Sequence, residues 1–141
     1  MPYEYRDHTS EAWLVGIGAS LEEAFSEGSR ALFDLMVDIR QVEPRQSVAI
    51  HCESDSLETL FADFLNALLV HKDAEGIVFA RFELRPIERR EQGFLLEGRA
   101  FGERFDSKQH ESRTDVKAAT YSGLSVQKIA EGYRVEGVVD L

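Results

Sequence analysis

The sequence predicts an α+β fold, in which a largely antiparallel sheet is covered by two amphipathic helices. Two segments in the first half repeat apolar residues at intervals of three and four, as helices with one buried face do. The second half consists of short segments with strand character, separated by turn residues. No linker, repeat or low-complexity stretch interrupts the 141 residues, so we expect a single domain over residues 1–141.

The first predicted elements are a strand and a helix. Residues 12–18 follow the polar residues 6–11 and have strand character, with glycines near their end. Ser20 and Glu23 stand at the spacing of a capping box, which predicts a helix start. The apolar stripe of this helix comprises Leu21, Ala24, Phe25, Gly28, Ala31, Leu32, Leu35 and Met36. Residues 47–52 are then expected to form a short strand.

Asp55 and Glu58 again have capping-box spacing, which predicts the start of a second helix that ends near Gly76. Its apolar stripe comprises Leu57, Leu60, Phe61, Phe64, Leu65, Leu68 and Leu69. Each helix therefore has one face to bury.

Strands dominate the remainder of the chain. They are predicted over residues 77–84, 94–101, 115–121, 124–129 and 133–139, with turns at 91–93 and 131–132. Between residues 106 and 124, a charged loop is expected to lead into a hairpin that turns at Ser122-Gly123 and carries Lys117 in mid-strand.

The formal net charge of −10 restricts the choice of partners. Neutralising nucleic-acid phosphates requires an excess of Lys and Arg, so we do not expect this chain to bind RNA or DNA directly. An acidic surface suits a basic protein partner or a cation better.

Cys52 is the only cysteine, which excludes an internal disulfide and fits a reducing compartment. The first ten residues lack the features of a signal peptide, and no apolar run approaches the roughly 20 residues that span a bilayer. We therefore expect a cytoplasmic protein without a membrane partner.

The sequence contains no phosphate-binding glycine loop and no closely spaced Cys/His set for a structural zinc ion. His51 and Cys52 are adjacent, but neighbours in a strand point to opposite faces, so they are poorly placed to act as a base and a thiol nucleophile. A buried structural cysteine is the favoured interpretation.

Three polar features permit both a structural and a functional interpretation. Glu11, before the first strand, is either an ordinary strand-start residue or an oxygen ligand. Asp140, beside the α-carboxylate of Leu141, is either a solvated terminal residue or part of an anionic pair that attracts a cation. Lys117 is either part of a solvated sheet face or a contact residue.

Taken in order, these segments resemble the archease family over essentially the whole chain. The most specific match is residues 110–124, HESRTDVKAATYSGL, which is close to the family pattern His-x-x-Lys-Thr-Glu-Val-Lys-Ala-x-Thr-Tyr-His-Gly-Leu. The other matching segments are His8-Thr9-Ser10-Glu11, residues 21–25 and 31–38, residues 60–69 with 79–82, and the closing Val139-Asp140-Leu141.

The resemblance implies a small accessory protein that has no enzymatic turnover of its own. Archeases assist the GTP-dependent RNA ligase that joins a 3′-phosphate or cyclic phosphate end to a 5′-hydroxyl in tRNA splicing and RNA repair. They promote guanylylation of the ligase and allow it to turn over repeatedly. The implied partner is thus this ligase, and contact with nucleic acid would be indirect.

The resemblance also implies a divalent-metal site, for Ca²⁺ or Mg²⁺, formed by Glu11, Asp140 and Leu141. Glu11 stands where the family has Asp, and Ser122 stands where it has His. The weaker candidates for partner contact, or for bracing that corner of the fold, are His110, Arg113, Asp115 and Lys117.

Two alternatives belong to other functional classes. A small metal-dependent hydrolase or nucleotide-using enzyme would act through Glu11, Asp140 and His8, but no nucleophile, base and orienting group stand at recognisable spacing. A general chaperone would expose a large apolar patch, whereas the apolar stripes of this sequence are expected to be consumed by helix burial.

Overall fold

The computed structural model describes residues 10–141. This part of the chain contains helices α1 (Leu21–Met36) and α2 (Leu57–Glu75) and a short 3-10 turn, Ile39–Gln41. It also contains eight strands: β1 (Glu11–Gly18), β2 (Gln46–Ser54), β3 (Ile77–Leu84), β4 (Glu88–Arg90), β5 (Gly93–Arg104), β6 (Ala118–Ala119), β7 (Ser125–Ile129) and β8 (Gly132–Asp140). Neither helix combines the length and the apolarity that a bilayer crossing requires, as far as residues 10–141 are concerned.

The predicted α+β class with antiparallel strands and two helices is confirmed, but the strands divide between two four-stranded sheets. In one sheet, β5 is flanked by β2 on one side and by β3 and β4 on the other. In the other, β8 is flanked by β1 on one side and by β6 and β7 on the other. Both helices contact both sheets.

Both helix starts are stabilised by a serine hydroxyl. Ser20 Oγ accepts a hydrogen bond from the N–H of Glu23, as predicted. The second cap is Ser56, not Asp55, because its hydroxyl accepts from the N–H of Thr59. The predicted box was thus wrong by one residue. Gly76 follows the last residue of α2 and caps its C-terminus in the left-handed conformation (φ 70°), as glycine commonly does.

The core is built on phenylalanines that connect the helices to each other and to β3. The ring of Phe25 packs edge-on against Phe61 at 5.1 Å, and Phe33 packs edge-on against Phe79 at 5.4 Å. Helix α2 touches both sheets, and its predicted stripe is buried except for Leu57, which is half-buried. Its buried residues are Leu60, Phe61, Ala62, Phe64, Leu65, Leu68 and Leu69.

The predicted hairpin around Ser122-Gly123 is wrong. Within residues 115–121 only Ala118–Ala119 forms a strand, and both it and β7 pair with β8 rather than with each other. The reason is competition for main-chain groups. Asn66 of α2 accepts a hydrogen bond from Ala119 N–H at 2.8 Å and donates one to its carbonyl at 3.0 Å. These are the groups that a hairpin partner would have used.

Helix α1 lies very close to β1, and glycine makes this possible. A β-carbon on Gly16 would stand 2.2 Å from the carbonyl oxygen of Ala24 and 2.4 Å from the nitrogen of Gly28. Real side chains do not tolerate such distances, so α1 would have to move away from β1.

We predict that Gly16→Ala destabilises the fold, by at least the 1–3 kcal/mol or so typical of overpacked sites, because the obstruction is backbone and cannot rotate away. Gly76→Ala is the comparison variant, since its β-carbon would meet no atom within 4 Å and only the left-handed conformation is penalised, at about 1 kcal/mol. Urea unfolding would measure both. A Gly16→Ala variant as stable as the parent would contradict the close packing of α1 on β1.

Candidate functional site

The two ends of the described chain meet in the sheet formed around β8. In the antiparallel register, Glu11 of β1 lies directly opposite Asp140 of β8. Residues opposed in this way share a face, and their β-carbons are about 4.5–5.5 Å apart. The residue Glu11 is exposed and Asp140 is half-buried, so both carboxylates lie at the surface. The pairing places two negatively charged groups side by side.

Main-chain hydrogen bonds fix this end of the sheet. The N–H of Leu141 donates to the carbonyl of Ser10 at 2.9 Å, and the N–H of Lys117 donates to the carbonyl of Asp140 at 2.8 Å. On the side opposite Glu11, Asp140 is paired with Ala118, whose small side chain shares its face. Three chain segments therefore converge on Asp140.

The donors at this position suit a hard divalent cation. Within residues 10–141, neither the Glu11 nor the Asp140 carboxylate has a hydrogen-bond or ion-pair partner. No group of three or more His, Cys, Asp or Glu side chains that could hold a metal ion occurs in the same range. Mg²⁺ commonly uses one or two carboxylates plus water, and Ca²⁺ also accepts main-chain oxygens such as those of Leu141. His8 lies outside the described residues.

His110, a predicted contact or bracing residue, is buried and acts as a brace. The N–H of Asp106 donates to His110 Nδ1 at 2.8 Å, so this nitrogen carries no proton. His110 Nε2 then donates to Glu103 at 2.8 Å. Only 2% of the surface of His110 is exposed, so its hydrogen bonds in the described structure are all to the loop and to β5.

The carboxylate of Glu103, buried at the end of β5, holds the start of the following loop. It accepts hydrogen bonds from Glu43 N–H at 2.9 Å, Arg45 Nε at 3.0 Å, Gln109 Nε2 at 2.9 Å and His110 Nε2. Burial alone raises the pKa of Glu103, but the hydrogen bonds from Glu43, His110 and Arg45 outweigh it and leave the pKa below its usual 4.5.

Arg113 ties the same loop to the end of α1. Its guanidinium donates to Glu111 at 3.0 Å and to the carbonyl of Asp34 at 3.0 Å, while its own N–H donates to the carbonyl of Met36 at 2.8 Å. The hydrogen bond to Glu111, with burial opposing it, raises the pKa of Arg113. Arg113 thus satisfies acceptors at a helix C-terminus.

Asp115 ties the loop to the end of α2, where it accepts a hydrogen bond from Lys72 Nζ at 2.7 Å. This bond is the main reason that the pKa of Asp115 is lowered. A cleft of about 320 Å³ lies between the helix ends, with Lys72, Arg113 and Asp115 at its border and Val78 and Phe105 among its apolar lining.

Lys117 alone among these four residues lies next to the carboxylate pair, through its main-chain bond to Asp140. Its side chain is exposed and has no ion-pair partner in the part of the chain that the structure describes. The other three are tied to β5 and to the helix ends. Whether any of them contacts a partner stays a prediction.

His51 and Cys52 do not form a catalytic pair. His51 is exposed and hydrogen-bonds with Glu97 at 3.0 Å and Glu53 at 3.2 Å. Cys52 is buried on the opposite face, where burial, followed by the nearby Asp63 carboxylate, raises the pKa of its thiol to about 11. At neutral pH the thiol is protonated and a poor nucleophile.

Sequence reasoning missed the outward face of β1. The helix stripes are buried or half-buried, as expected, but Trp13, Val15 and Ile17 are exposed in the described structure. Residues 12–18 are apolar at nearly every position, a pattern that also fits a strand buried on both faces. The alternation with Leu14, Gly16 and Gly18, which are buried, is a property of the folded strand.

We predict that Glu103→Gln destabilises the protein by about 1.5–3 kcal/mol at neutral pH, because a neutral amide cannot accept all the hydrogen bonds that the carboxylate accepts. The folded pKa of Glu103 lies below that of the unfolded chain, so the unfolded chain binds the proton first as the pH falls. This stability is therefore present above about pH 4.5 and is lost as the pH falls through the folded pKa.

Urea unfolding at about pH 7 and about pH 4 would test this prediction, and the difference between the parent and Glu103→Gln should narrow at the lower pH. Glu91→Gln, at an exposed turn, is the control that should match the parent at both. A difference that does not change with pH would contradict the assignment to Glu103.

Comparison with known proteins agrees with this architecture. The family model described as the Archease protein family (MTH1598/TM1083) matches residues 3–141. The protein archease of Thermococcus gammatolerans is 42% identical over 92% of this chain and 91% of its own length. The protein archease of Pyrococcus abyssi is 40% identical with the same coverage.

Solved structures show the same fold. The solution structure of protein 1598 from Methanobacterium thermoautotrophicum matches with a TM-score of 0.77 and 28% identity, over 99% of this chain and 96% of that one. A crystal structure from Thermotoga maritima, described as an archease and possible chaperone, matches with a TM-score of 0.67 at 19% identity, over 100% and 98% of the two chains, and it bears on the fold alone. Because the family model matches residues 3–141 and the curated relatives are 40–42% identical, this chain belongs to the archease family.

Proposed function

We propose that this protein activates the GTP-dependent RNA ligase that joins 3′-phosphate or cyclic phosphate ends to 5′-hydroxyl ends in tRNA splicing or RNA repair. It would promote guanylylation of the ligase and allow repeated turnover, without catalysing a reaction itself. Membership of the archease family supports this role, and so does the acidic net charge of −10, which suits a basic RNA-binding enzyme.

The observation that carries the proposal is the register pairing of Glu11 with Asp140. Two carboxylates held about 4.5–5.5 Å apart at their β-carbons repel each other, and a divalent cation between them offsets the repulsion. We assign Ca²⁺ or Mg²⁺ to these two side chains and to the main-chain oxygens of Leu141. A bound cation at this position would supply positive charge where the ligase handles nucleotide phosphates.

The neighbouring residues have defined tasks in this proposal. Hydrogen bonds from Leu141 to Ser10 and from Lys117 to Asp140 keep the two carboxylates on one face. The Lys117 ammonium lies on the segment that adjoins Asp140 and would contact the partner. Glu11, one methylene longer than the family's Asp, reaches further from its strand, so the cation would lie closer to β8.

We predict that Asp140→Asn and Glu11→Gln each weaken Ca²⁺ or Mg²⁺ binding at least tenfold, because each removes one of two charged ligands. Calorimetric titration with each ion would measure it without the ligase. Glu91→Gln removes one negative charge at an exposed turn of the other sheet and is the matched control. If Asp140→Asn binds Ca²⁺ and Mg²⁺ as tightly as the parent does, the cation site does not lie at Asp140 and the assignment is wrong.

Activation is measured separately, with GTP, a divalent ion, an RNA with a 3′-phosphate end and the ligase in catalytic amount. The parent chain should raise product above one turnover per ligase, Asp140→Asn should not, and Glu91→Gln should match the parent. The chain without ligase should leave GTP and RNA unchanged. If the chain alone converts GTP or RNA, that result would instead support the alternative that it is a small metal-dependent enzyme.

A further inference from the structure

The outward face of β1 carries three apolar side chains in succession. Trp13 is 64% exposed, Val15 37% and Ile17 51%, whereas the inward residue Leu14 is 2% exposed. Single exposed apolar residues are common on protein surfaces, but three consecutive outward positions form one continuous stripe. We refer to Trp13, Val15 and Ile17 as the β1 stripe.

A groove continues the stripe toward α1. Its volume is about 410 Å³, and its apolar lining consists of Val15, Ile17, Ala31 of α1 and Ile39 of the 3-10 turn. The charged residues Glu27, Arg30 and Asp34 of α1 complete the lining. Strand β1 pairs only with β8 among the described strands, so no neighbouring strand of residues 10–141 covers this side. The stripe and the apolar side of the groove together offer a concave surface, bordered by charged residues of α1, of the kind that accepts a segment of another protein.

The exposed indole of Trp13 contacts the described chain on one side only. Gly123 lies against it with φ 65°, and a β-carbon at this position would stand 2.9 Å from the ring and 2.8 Å from Val138. The loop that contains Gly123 therefore supports one side of the ring, while the remainder faces solvent. Tryptophan is one of the residue types that most often contribute a large share of the binding energy at interfaces.

Two unpaired carboxylates lie at one end of the stripe. Glu11 and Asp140 share its face and have no ion-pair partner among residues 10–141. At the other end, the groove carboxylates are neutralised, because Glu27 pairs with Arg30 and Asp34 pairs with Arg113. Two copies of a chain with net charge −10 would repel each other across this face, so self-association is disfavoured. A partner that brings apolar side chains flanked by Lys or Arg is complementary in both respects.

We propose that the β1 stripe and its groove are the surface on which the RNA ligase docks, through an apolar segment with basic flanking residues. This inference rests on the function proposed above and adds the contact surface. Glu11 and Ile17 are about 20 Å apart along β1, and their side chains lie on the same face. A segment seated on the stripe thus reaches the carboxylate pair, which connects docking to activation.

The decisive variant is Ile17→Lys, with Val70→Lys as the matched control. Val70 lies on α2 and is 64% exposed, so both variants place the same charge at an exposed apolar position. We expect Ile17→Lys to weaken ligase binding at least tenfold in calorimetry and to raise the concentration for half-maximal activation equally. Activation at saturation should persist, because both carboxylates remain. Val70→Lys should match the parent.

Trp13 provides a second measurement, since it is the only tryptophan in the chain. With fluorine-labelled tryptophan, fluorine NMR of the full chain should give one resonance that is accessible to a soluble paramagnetic agent and becomes protected when ligase is added. If the resonance of the free chain is shielded from the paramagnetic agent at every protein concentration, residues 1–9 cover the stripe. If the shielding increases with the concentration of the free chain, a second copy of the chain covers the stripe. Either result would overturn the proposal.

The two proposals fail in different ways. If the parent chain binds and activates the ligase and Ile17→Lys does so equally well, the docking surface is wrong and the activator function stands. If the parent neither binds nor activates the ligase, the proposed function itself is wrong. Equal loss in Ile17→Lys and Val70→Lys would show an unspecific effect of added charge and would also overturn the docking surface.

Discussion

The antiparallel pairing of β1 with β8 is the constraint on which the candidate site depends. It runs from Gly18 opposite Tyr133 to Glu11 opposite Asp140, and it brings the start and the end of the described chain together. A shift of the register by one residue would turn the outward side chains of β1 into the core and separate the two carboxylates. Inward burial of Leu14 and the close contact of Gly16 with α1 oppose such a shift.

The loop between β5 and β6 adds the third segment at the carboxylate pair. Glu103 and His110 anchor its beginning in a buried hydrogen-bonded network, and Arg113 and Asp115 fasten its middle to the ends of α1 and α2. Its last part reaches Asp140 through the main chain of Lys117. Residues far from the pair thus position the chain beside it.

Two different surfaces share one face of the sheet around β8. The paired carboxylates suit a cation, and the β1 stripe suits apolar side chains of another protein. Their combination on one face of the sheet fits the activator role proposed above, in which the protein binds a larger enzyme and presents charge to it. A strand with an exposed tryptophan is stable here because β8 and α1 secure its other side and its inward face.

The sequence by itself determined both helices, the cap at Ser20, the antiparallel α+β class and the family, because periodicity, capping and turn chemistry act over a few residues. It indicated Glu11 and Asp140 individually by their residue types, and it joined them in one predicted metal site only through the family resemblance. Only the tertiary structure decided that the strands form two sheets, that Asn66 prevents a hairpin at Ala119, and that His110 is buried. It alone decided that Glu11 faces Asp140 and that Trp13 faces outward, since these results depend on which distant segments pair and compete for main-chain groups.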